Sequence, residues 1–261
     1  YGASASTTLT NVNNRIAGGG DLGDDGLVLI NEAGGVIDGN TGSGLVIDTG
    51  LSTIDNAGEI AAVVGAVTVE SALDNTGKLL AAGGTIVLQG AVTGSGTAEI
   101  SGGTLEAAST FDENVAFNSA RGVFELAHSE SYAGTVTGLS SAGTNSLDLE
   151  DITFTSGVTN ATFSGTSTAG VLTVTNGTQT AKINLSGDYL ASTFTTRSDG
   201  HGGTSVVDPT PAAVARFVEE AAAHRFIAAA ATMGSRAGGA ASPGHDSVIA
   251  RPPILARPYA A

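Results

Sequence analysis

Apolar residues come in short bursts along this chain, and the bursts recur. The stretch Ile54-Asp55-Asn56-Ala57-Gly58-Glu59-Ile60 is answered 19 residues later by Leu73-Asp74-Asn75-Thr76-Gly77-Lys78-Leu79. Aligning on the Asx or Gly turn extends the ladder to Ile30-Asn31-Glu32-Ala33-Gly34 on one side and a degenerate Thr93-Gly94-Ser95-Gly96 on the other. The steps between Asn31, Asn56, Asn75 and Gly94 are 25, 19 and 19 residues. A second apolar burst recurs between the turns, as Leu45-Val46-Ile47, Val67-Thr68-Val69, Ile86-Val87-Leu88 and Thr104-Leu105-Glu106. Each repeat therefore reads as two or three strands of a few residues divided by Gly and Asn corners.

A unit that small cannot bury its own apolar face and must stack on copies of itself. The pattern predicts an all-β protein, a parallel β-solenoid (β-helix) with a C-terminal helix and an extended tail. Asn31, Asn56, Gly58, Asn75, Gly77, Gly94 and Gly96 are its expected structural turns. Asn and Gly tolerate positive φ, and a stacked Asn also bonds its neighbours along the axis. At roughly 4.8 Å per coil, some nine coils would make a rod about 40 to 45 Å long. The rival is an antiparallel sandwich, which many short strands with Gly turns also fit. The in-register recurrence and the scarcity of Asn-Gly hairpin signals, of which Asn176-Gly177 is the sole example, favour the solenoid.

The expected organisation is an N-terminal segment or cap over 1–24, a solenoid over 25–208 that is less regular after 110, an amphipathic helix over 209–233, and a Gly/Pro/Ala-rich tail over 234–261. Phe111, Phe117 and Phe124 suggest a wider coil wrapping the core. Beyond them, Val171 and Thr173 alternate with Leu172 and Val174, and Ile183-Asn184-Leu185 keeps the same rule, consistent with larger coils or a separate β cap. A cap is needed somewhere, because an open solenoid end is an exposed sheet edge. Asp208-Pro209-Thr210-Pro211 halts the strands. Val214, Phe217, Val218, Ala221, Phe226 and Ala229 then take helical spacing. Phe217, Phe226, Ile254, Leu255 and Tyr259 are candidates for assembly contacts. The chain begins at Tyr1, amid repeat-like text and without a charged-then-apolar leader, which points to a piece of something longer.

Composition sharpens this picture. Hydrophobic residues make up 41% of the 261, enough for a core, while 5% aromatics and 38 glycines favour short strands and tight turns. With no cysteine, disulfides, thiol catalysis and thiolate zinc sites are excluded. No run of 18 apolar residues exists to span a bilayer as a helix. Residues 1–208 hold 5 Lys and Arg against 22 Asp and Glu, whereas 209–261 hold 5 Arg against 3 acids. A body this acidic repels phosphate backbones, so nucleic acid is not an expected partner.

Catalytic motifs are missing from the sequence. His128, His201, His224 and His245 lie in unrelated contexts, and Asp199-Gly200-His201-Gly202-Gly203 is first of all a turn. No catalytic residue is assigned, and the chain is read as not an enzyme. Asp148 with Asp151 offers a carboxylate pair of the kind hydrolases use, but acids are too common here for that to weigh much. Asp21, Asp24 and Asp25 lie in a flexible oxygen-rich loop and are weak calcium candidates, which makes Ca2+ the one candidate cofactor. A solvated acidic turn explains them as simply. Asp148, Glu150 and Asp151 form a second weak cluster.

The ladder, with GGTIVLQGAVTGSGTAEISGGTLEAA, resembles the β-helical passengers of bacterial autotransporters and the filamentous-haemagglutinin-like exoproteins. GTNSLDLEDITF followed by LTVTNGTQTAKINLSGDYLASTFTTRSDGHGGTSVVDP is similar to the closing segment of large repetitive surface proteins of alphaproteobacteria. The resemblance covers about residues 25–208. It implies an extracellular or cell-surface bacterial protein with a structural or adhesive role, building filaments or a surface matrix such as that of a biofilm, by self-association or polysaccharide contact. No active-site residue carries over. The alternative is a carbohydrate-binding or carbohydrate-active β-helix, for which Tyr132 and Tyr189 are the candidate sugar platforms. An ice-binding surface would need regular Thr ranks, which the spacing does not keep.

Overall fold

The protein is described here by a computed structural model over residues 7–119 and 121–209. Strands follow one another around a triangular course. The first coil is β1 (Thr8–Asn11), β2 (Arg15–Gly18) and β3 (Gly20–Leu22); the second is β4 (Val28–Asn31), β5 (Val36–Asn40) and β6 (Leu45–Ile47). The third is β7 (Ile54–Asn56), β8 (Glu59–Val64) and β9 (Ala66–Val69), and the fourth β10 (Leu73–Asn75), β11 (Lys78–Ala81) and β12 (Thr85–Leu88). The fifth is β13 (Val92–Gly94), β14 (Thr97–Ile100) and β15 (Thr104–Ala107). The sixth keeps two sides, β16 (Asn114–Phe117) and β17 (Gly122–Leu126), as does the seventh, β18 (Thr135–Thr137) and β19 (Asn145–Leu149).

Each side pairs with the same side of the next coil, in parallel. The result is a five-stranded sheet A from β1 to β13, a sheet B from β2 through β18, and a sheet C from β3 through β19, wound in seven coils among the described residues. This is the expected parallel β-solenoid. Coils three to five keep a 19-residue offset on every side, as in Ile54 opposite Leu73, Ile60 opposite Leu79 and Val67 opposite Ile86. Between coils two and three the offset widens to 25 at Ile30 and Asp55, 23 at Val36 and Glu59, and 22 at Leu45 and Val67. The offset changes in the corners and once inside a strand pair, where the β5–β8 register shifts between Gly39 and Asn40.

The core is a set of axial columns. Ile37, Ile60, Leu79, Ala98, Val115 and Val136 run inside sheet B, while Val67, Ile86, Leu105, Phe124 and Leu147 run inside sheet C, all buried. Burying one Val, Leu or Ile fully is worth about 1.5–3 kcal/mol, and here the cover comes largely from the coils above and below. No coil could secure that stabilisation alone.

At the end of each of the first four sheet A strands sits an Asn whose side chain points inward. Asn11, Asn31, Asn56 and Asn75 are at most 2% exposed. The side-chain amide of Asn11 donates to Oδ1 of Asn31 (2.9 Å), that of Asn31 to Asn56 (2.7 Å), and that of Asn56 to Asn75 (2.6 Å). None of these asparagines has a positive φ. Their place in the turns comes from hydrogen bonds, axially to one another and to turn carbonyls such as those of Gly35 and Gly58, and the positive-φ reason expected from sequence does not apply to them. Beside the ladder, a Cβ on Gly58 or Gly77 would strike the backbone of the preceding coil, and one on Gly96 would strike the Asn75 amide. Gly94, which takes the ladder position of the fifth coil, has φ +111° and no side chain to continue it.

Two expected boundaries differ in the structure. Residues 8–22, expected as a separate N-terminal segment, form the first coil. They escaped the repeat because their offsets to the second coil are 20, 21 and 25 residues. The parallel winding also stops at seven coils instead of nine. After β19 the chain makes a meander of β20 (Asn160–Gly165), β21 (Ala169–Thr175) and β22 (Thr180–Ser186), with β22 parallel to β18 and the rest antiparallel. Asn176 and Gly177 make the turn between β21 and β22, so the hairpin signal was local and correct. The strands β23 (Thr195–Ser198) and β24 (Thr204–Val207) close sheet C in antiparallel fashion. Phe163, Tyr189 and Phe194 pack together between these two extensions, with ring centroids 5.7–6.4 Å apart. The expected helix over 209–233 and the tail over 234–261, including Phe217, Phe226, Ile254, Leu255 and Tyr259, lie outside the described residues apart from Pro209. Among the described residues, no helix is long and apolar enough to cross a membrane.

The ladder makes a quantitative prediction. Asn56→Ala removes a rung whose neighbours are buried, and should cost about 2–3 kcal/mol in denaturant unfolding. Asn56→Asp puts an acceptor-only, charged group against Oδ1 of Asn75, so at neutral pH it should cost more than the alanine. Equal losses for the two variants would contradict the axial hydrogen-bond assignment.

Candidate functional site

Because the strands stack in register, the outward side chains also form columns, and these faces are the surfaces on which function is to be sought. Sheet A presents Thr10, Ile30, Asp55, Asp74 and Thr93 in one column. A shallow groove of about 270 Å³ runs beside Asp55 and Asp74. Sheet B presents Arg15, Val36, Glu59, Lys78, Thr97 and Asn114. There the Lys78 ammonium lies 2.7 Å from Glu59 and 3.8 Å from Glu99, and its pKa is raised, chiefly by the Glu59 hydrogen bond. A second groove of about 380 Å³ crosses Thr97, Glu99, Asn114, Thr135 and Thr137. Both are open troughs on a flat sheet.

Between the first two coils one buried carboxylate meets an exposed arginine. Asp38 on β5 is 2% exposed and is held by Arg15 of β2, with its Oδ1 left without a hydrogen-bond partner. Sheet C carries an acidic row. Glu106, Glu125 and Asp148 stand opposite one another on β15, β17 and β19.

One functional residue of the fold escaped the sequence reading. Glu113, just before β16, is 6% exposed and ends the asparagine ladder. Its Oε1 and Oε2 accept from the Asn75 amide at 3.0 and 2.8 Å, reaching across the position that Gly94 leaves empty. At the other end, the Asn14 N–H donates to Oδ1 of Asn11 at 3.2 Å. The ladder is thus closed at both ends by groups of its own chain. Burial pushes the Glu113 carboxyl up to about 7, against the opposing hydrogen bonds from Asn75 and Gly96, with the Asp74 charge adding to the rise. The signal was available: positions 56, 75, 94 and 113 share the 19-residue lattice.

The residues singled out from sequence are placed as follows. Asp21 is exposed on β3, while Asp24 and Asp25 take left-handed φ of 51° and 62° in the next corner. Among the described residues no group of three or more His, Asp or Glu is arranged to hold a metal ion. Asp151 is committed to the short helical turn Ser129–Ser131, accepting from the Ser129 hydroxyl and from the Glu130 N–H at 3.1 Å. His201 is exposed in a turn organised by Asp199, whose Oδ1 accepts from the N–H groups of His201 and Gly202 at 2.7 and 2.9 Å and whose Oδ2 accepts from that of Gly203 at 3.0 Å.

Both tyrosines considered as sugar platforms turn inward. Tyr132 is 5% exposed, stacks on Phe111 at 6.3 Å and donates its hydroxyl to the Glu113 carbonyl at 2.8 Å. Tyr189 is 6% exposed in the aromatic cluster at the closed end. Phe111, Phe117 and Phe124 are buried, and Phe111 with Tyr132 occupies the region where sheet A has ended. Compared with known proteins, the chain matches no family model and no curated sequence.

Glu113 yields a pH prediction. Its folded pKa of about 7 lies above the ordinary carboxylate value, so the native state holds the proton more tightly than the unfolded chain. Its stabilising contribution is full below about pH 4.5 and is lost as pH rises through 7. Glu113→Gln keeps an acceptor and a neutral group, so thermal unfolding of this variant should depend less on pH between 5 and 8 than that of the parent. A slope matching the parent's would show that Glu113 ionises freely.

Proposed function

We propose that this chain is a non-enzymatic structural or adhesive segment of a bacterial extracellular or cell-surface protein, in which the solenoid itself is the functional object. The observation that carries this reading is the coil-on-coil register. A winding that repeats every outer row at one-strand spacing gives a stiff element with extended, flat, polar and acidic faces. Such faces suit spacing and multivalent contact better than enclosure of a small substrate. The likeness of the repeat text to β-helical exoproteins and the cysteine-free composition agree with export.

Self-association is part of the proposal, and the geometry favours one of its two routes. Sheets B and C end in antiparallel strands over the cluster of Phe163, Tyr189 and Phe194, which works against continuing the winding into a second copy at that end. The segment 210–261 carries 5 Arg against 3 acids, opposite in sign to the acidic faces. Contact between that segment and a neighbouring copy is the favoured route. The carbohydrate-active alternative loses its sugar platforms with the burial of Tyr132 and Tyr189.

Truncation after residue 209 is the test. Multi-angle light scattering and electron micrographs of the full chain should reveal concentration-dependent oligomers that weaken with salt, and the truncated chain should be monomeric. Full-chain monomers at every concentration, or oligomers that survive truncation, would overturn the assembly proposal.

A further inference from the structure

The reversal of strand direction ends the winding, yet it leaves sheet B with a bare edge on β20. In an antiparallel ladder, alternate residue pairs exchange both backbone hydrogen bonds, and the residues between them point N–H and C=O to the other side. The Thr166 N–H donates to the Ala169 carbonyl at 2.8 Å, in the register that β20 and β21 share. By alternation, Ser164, Thr162 and Asn160 are the residues bonded to β21. The N–H and C=O groups of Ala161, Phe163 and Gly165 therefore point away from β21, along the edge. At the start of that edge the Thr159 carbonyl accepts from the Thr196 hydroxyl at 2.9 Å. From Ala161 onward, no backbone group among the described residues pairs with it.

Open edges are normally blunted by charge, proline or a bulge. Arg15, Asp21 and Arg197 mark the edge strands β2, β3 and β23. The sequence of β20, Asn-Ala-Thr-Phe-Ser-Gly, has no charge and no proline, and its pairing with β21 runs without a register shift. The inner face at this edge also lacks cover. Ala161, Phe163 and Phe194 are only partly buried, whereas Leu172 of β21 and Ile183 of β22 are fully buried. One more strand would pair the open backbone groups and complete the apolar cover.

We propose that the β20 edge receives residues 245–251 of a neighbouring copy as an added strand. This rests on the reading that the segment 210–261 joins copies, and it names the surface that segment meets. His245-Asp246-Ser247-Val248-Ile249-Ala250-Arg251, set between Pro243-Gly244 and Pro252-Pro253, is the longest run without Gly or Pro in 234–261. Its last part, Ser247 to Arg251, has the length of the edge from Ala161 to Gly165. In an extended strand Val248 and Ala250 share one side, which suits the inner face at Ala161 and Phe163. Ser247, Ile249 and Arg251 share the other, beside Thr162 and Ser164. Pro252 has no N–H to donate and ends the pairing. Main-chain hydrogen bonds supply the affinity of such an addition, and alternate side chains select the segment. Edge and strand are different surfaces, so the contact is heterologous and passes from copy to copy instead of closing as a two-fold pair.

The test uses the full chain, with light scattering to follow assembly and amide hydrogen exchange read at Ala161, Phe163 and Gly165. Those amides should be protected in oligomers and should exchange freely after dilution to monomers. Ala161→Pro removes an edge N–H and leaves the β21 ladder intact. Val248→Asp sets a charge against Phe163 and leaves the solenoid sequence unchanged, so its result does not depend on how β20 tolerates proline. Each should raise the concentration needed for assembly about tenfold or more. Oligomers whose edge amides exchange freely, or that form equally well in both variants, would overturn the edge assignment and leave tail-mediated assembly standing. Edge amides that stay protected in dilute monomers would overturn exchange between copies. A full chain that is monomeric at every concentration would overturn this proposal together with the reading it rests on.

Discussion

The structure depends on stacking each coil on the next in one register, and the buried asparagine file is where that register is enforced. Asn31, Asn56 and Asn75 each place an amide in the interior, where an unmade hydrogen bond costs about 1–3 kcal/mol. Each bonds a side chain of another coil, and Asn31 and Asn56 donate besides to the Gly35 and Gly58 carbonyls of their own turns. A slip of one residue on sheet A would turn these amides outward and bring Asp55 or Asp74 inward. Apolar columns alone, built from interchangeable Val, Ile and Leu, would tolerate other alignments far better. The glycines beside the file belong to the same constraint, since a side chain at Gly58, Gly77 or Gly96 would occupy space already filled by the preceding coil.

The same register explains how the winding changes character. Gly94 supplies no side chain, Glu113 reaches past it to close the file, and sheet A ends there. Phe111, Phe124 and Tyr132 pack mutually where the third side has been lost, with centroids 5.5–6.3 Å apart. Two coils later the strands reverse direction, which closes the end that a parallel stack leaves open. Register also multiplies whatever the outer positions carry. On sheet B it interleaves Glu59, Lys78 and Glu99 into a favourable run, and on sheet C it piles Glu106 on Glu125 and Asp148 with no cation between them. One geometric rule thus produces both a surface ion-pair run and a crowded acidic row.

Much of this was legible from spacing. The 19-residue recurrence located the sheet A turns and the sheet C strands, because those coils carry no insertions in their corners. The first coil was hidden since its corners differ in length from side to side, which removes a constant offset without disturbing the pairing. Glu113 sat on the lattice of Asn56 and Asn75, yet a change of residue type and an intervening glycine disguised it. Tyr132 and Tyr189 looked like surface aromatics because burial by a distant segment leaves no local trace.

The most direct measurement of the central claim is hydrogen exchange at the asparagine side chains by NMR. If the axial file holds the register, the Nδ2 protons of Asn31, Asn56 and Asn75 exchange only through opening of the solenoid, with protection comparable to the backbone amides of Leu79 and Ile86. Exchange of those side-chain protons at the rate of free asparagine, while the neighbouring backbone amides stay protected, would contradict the account.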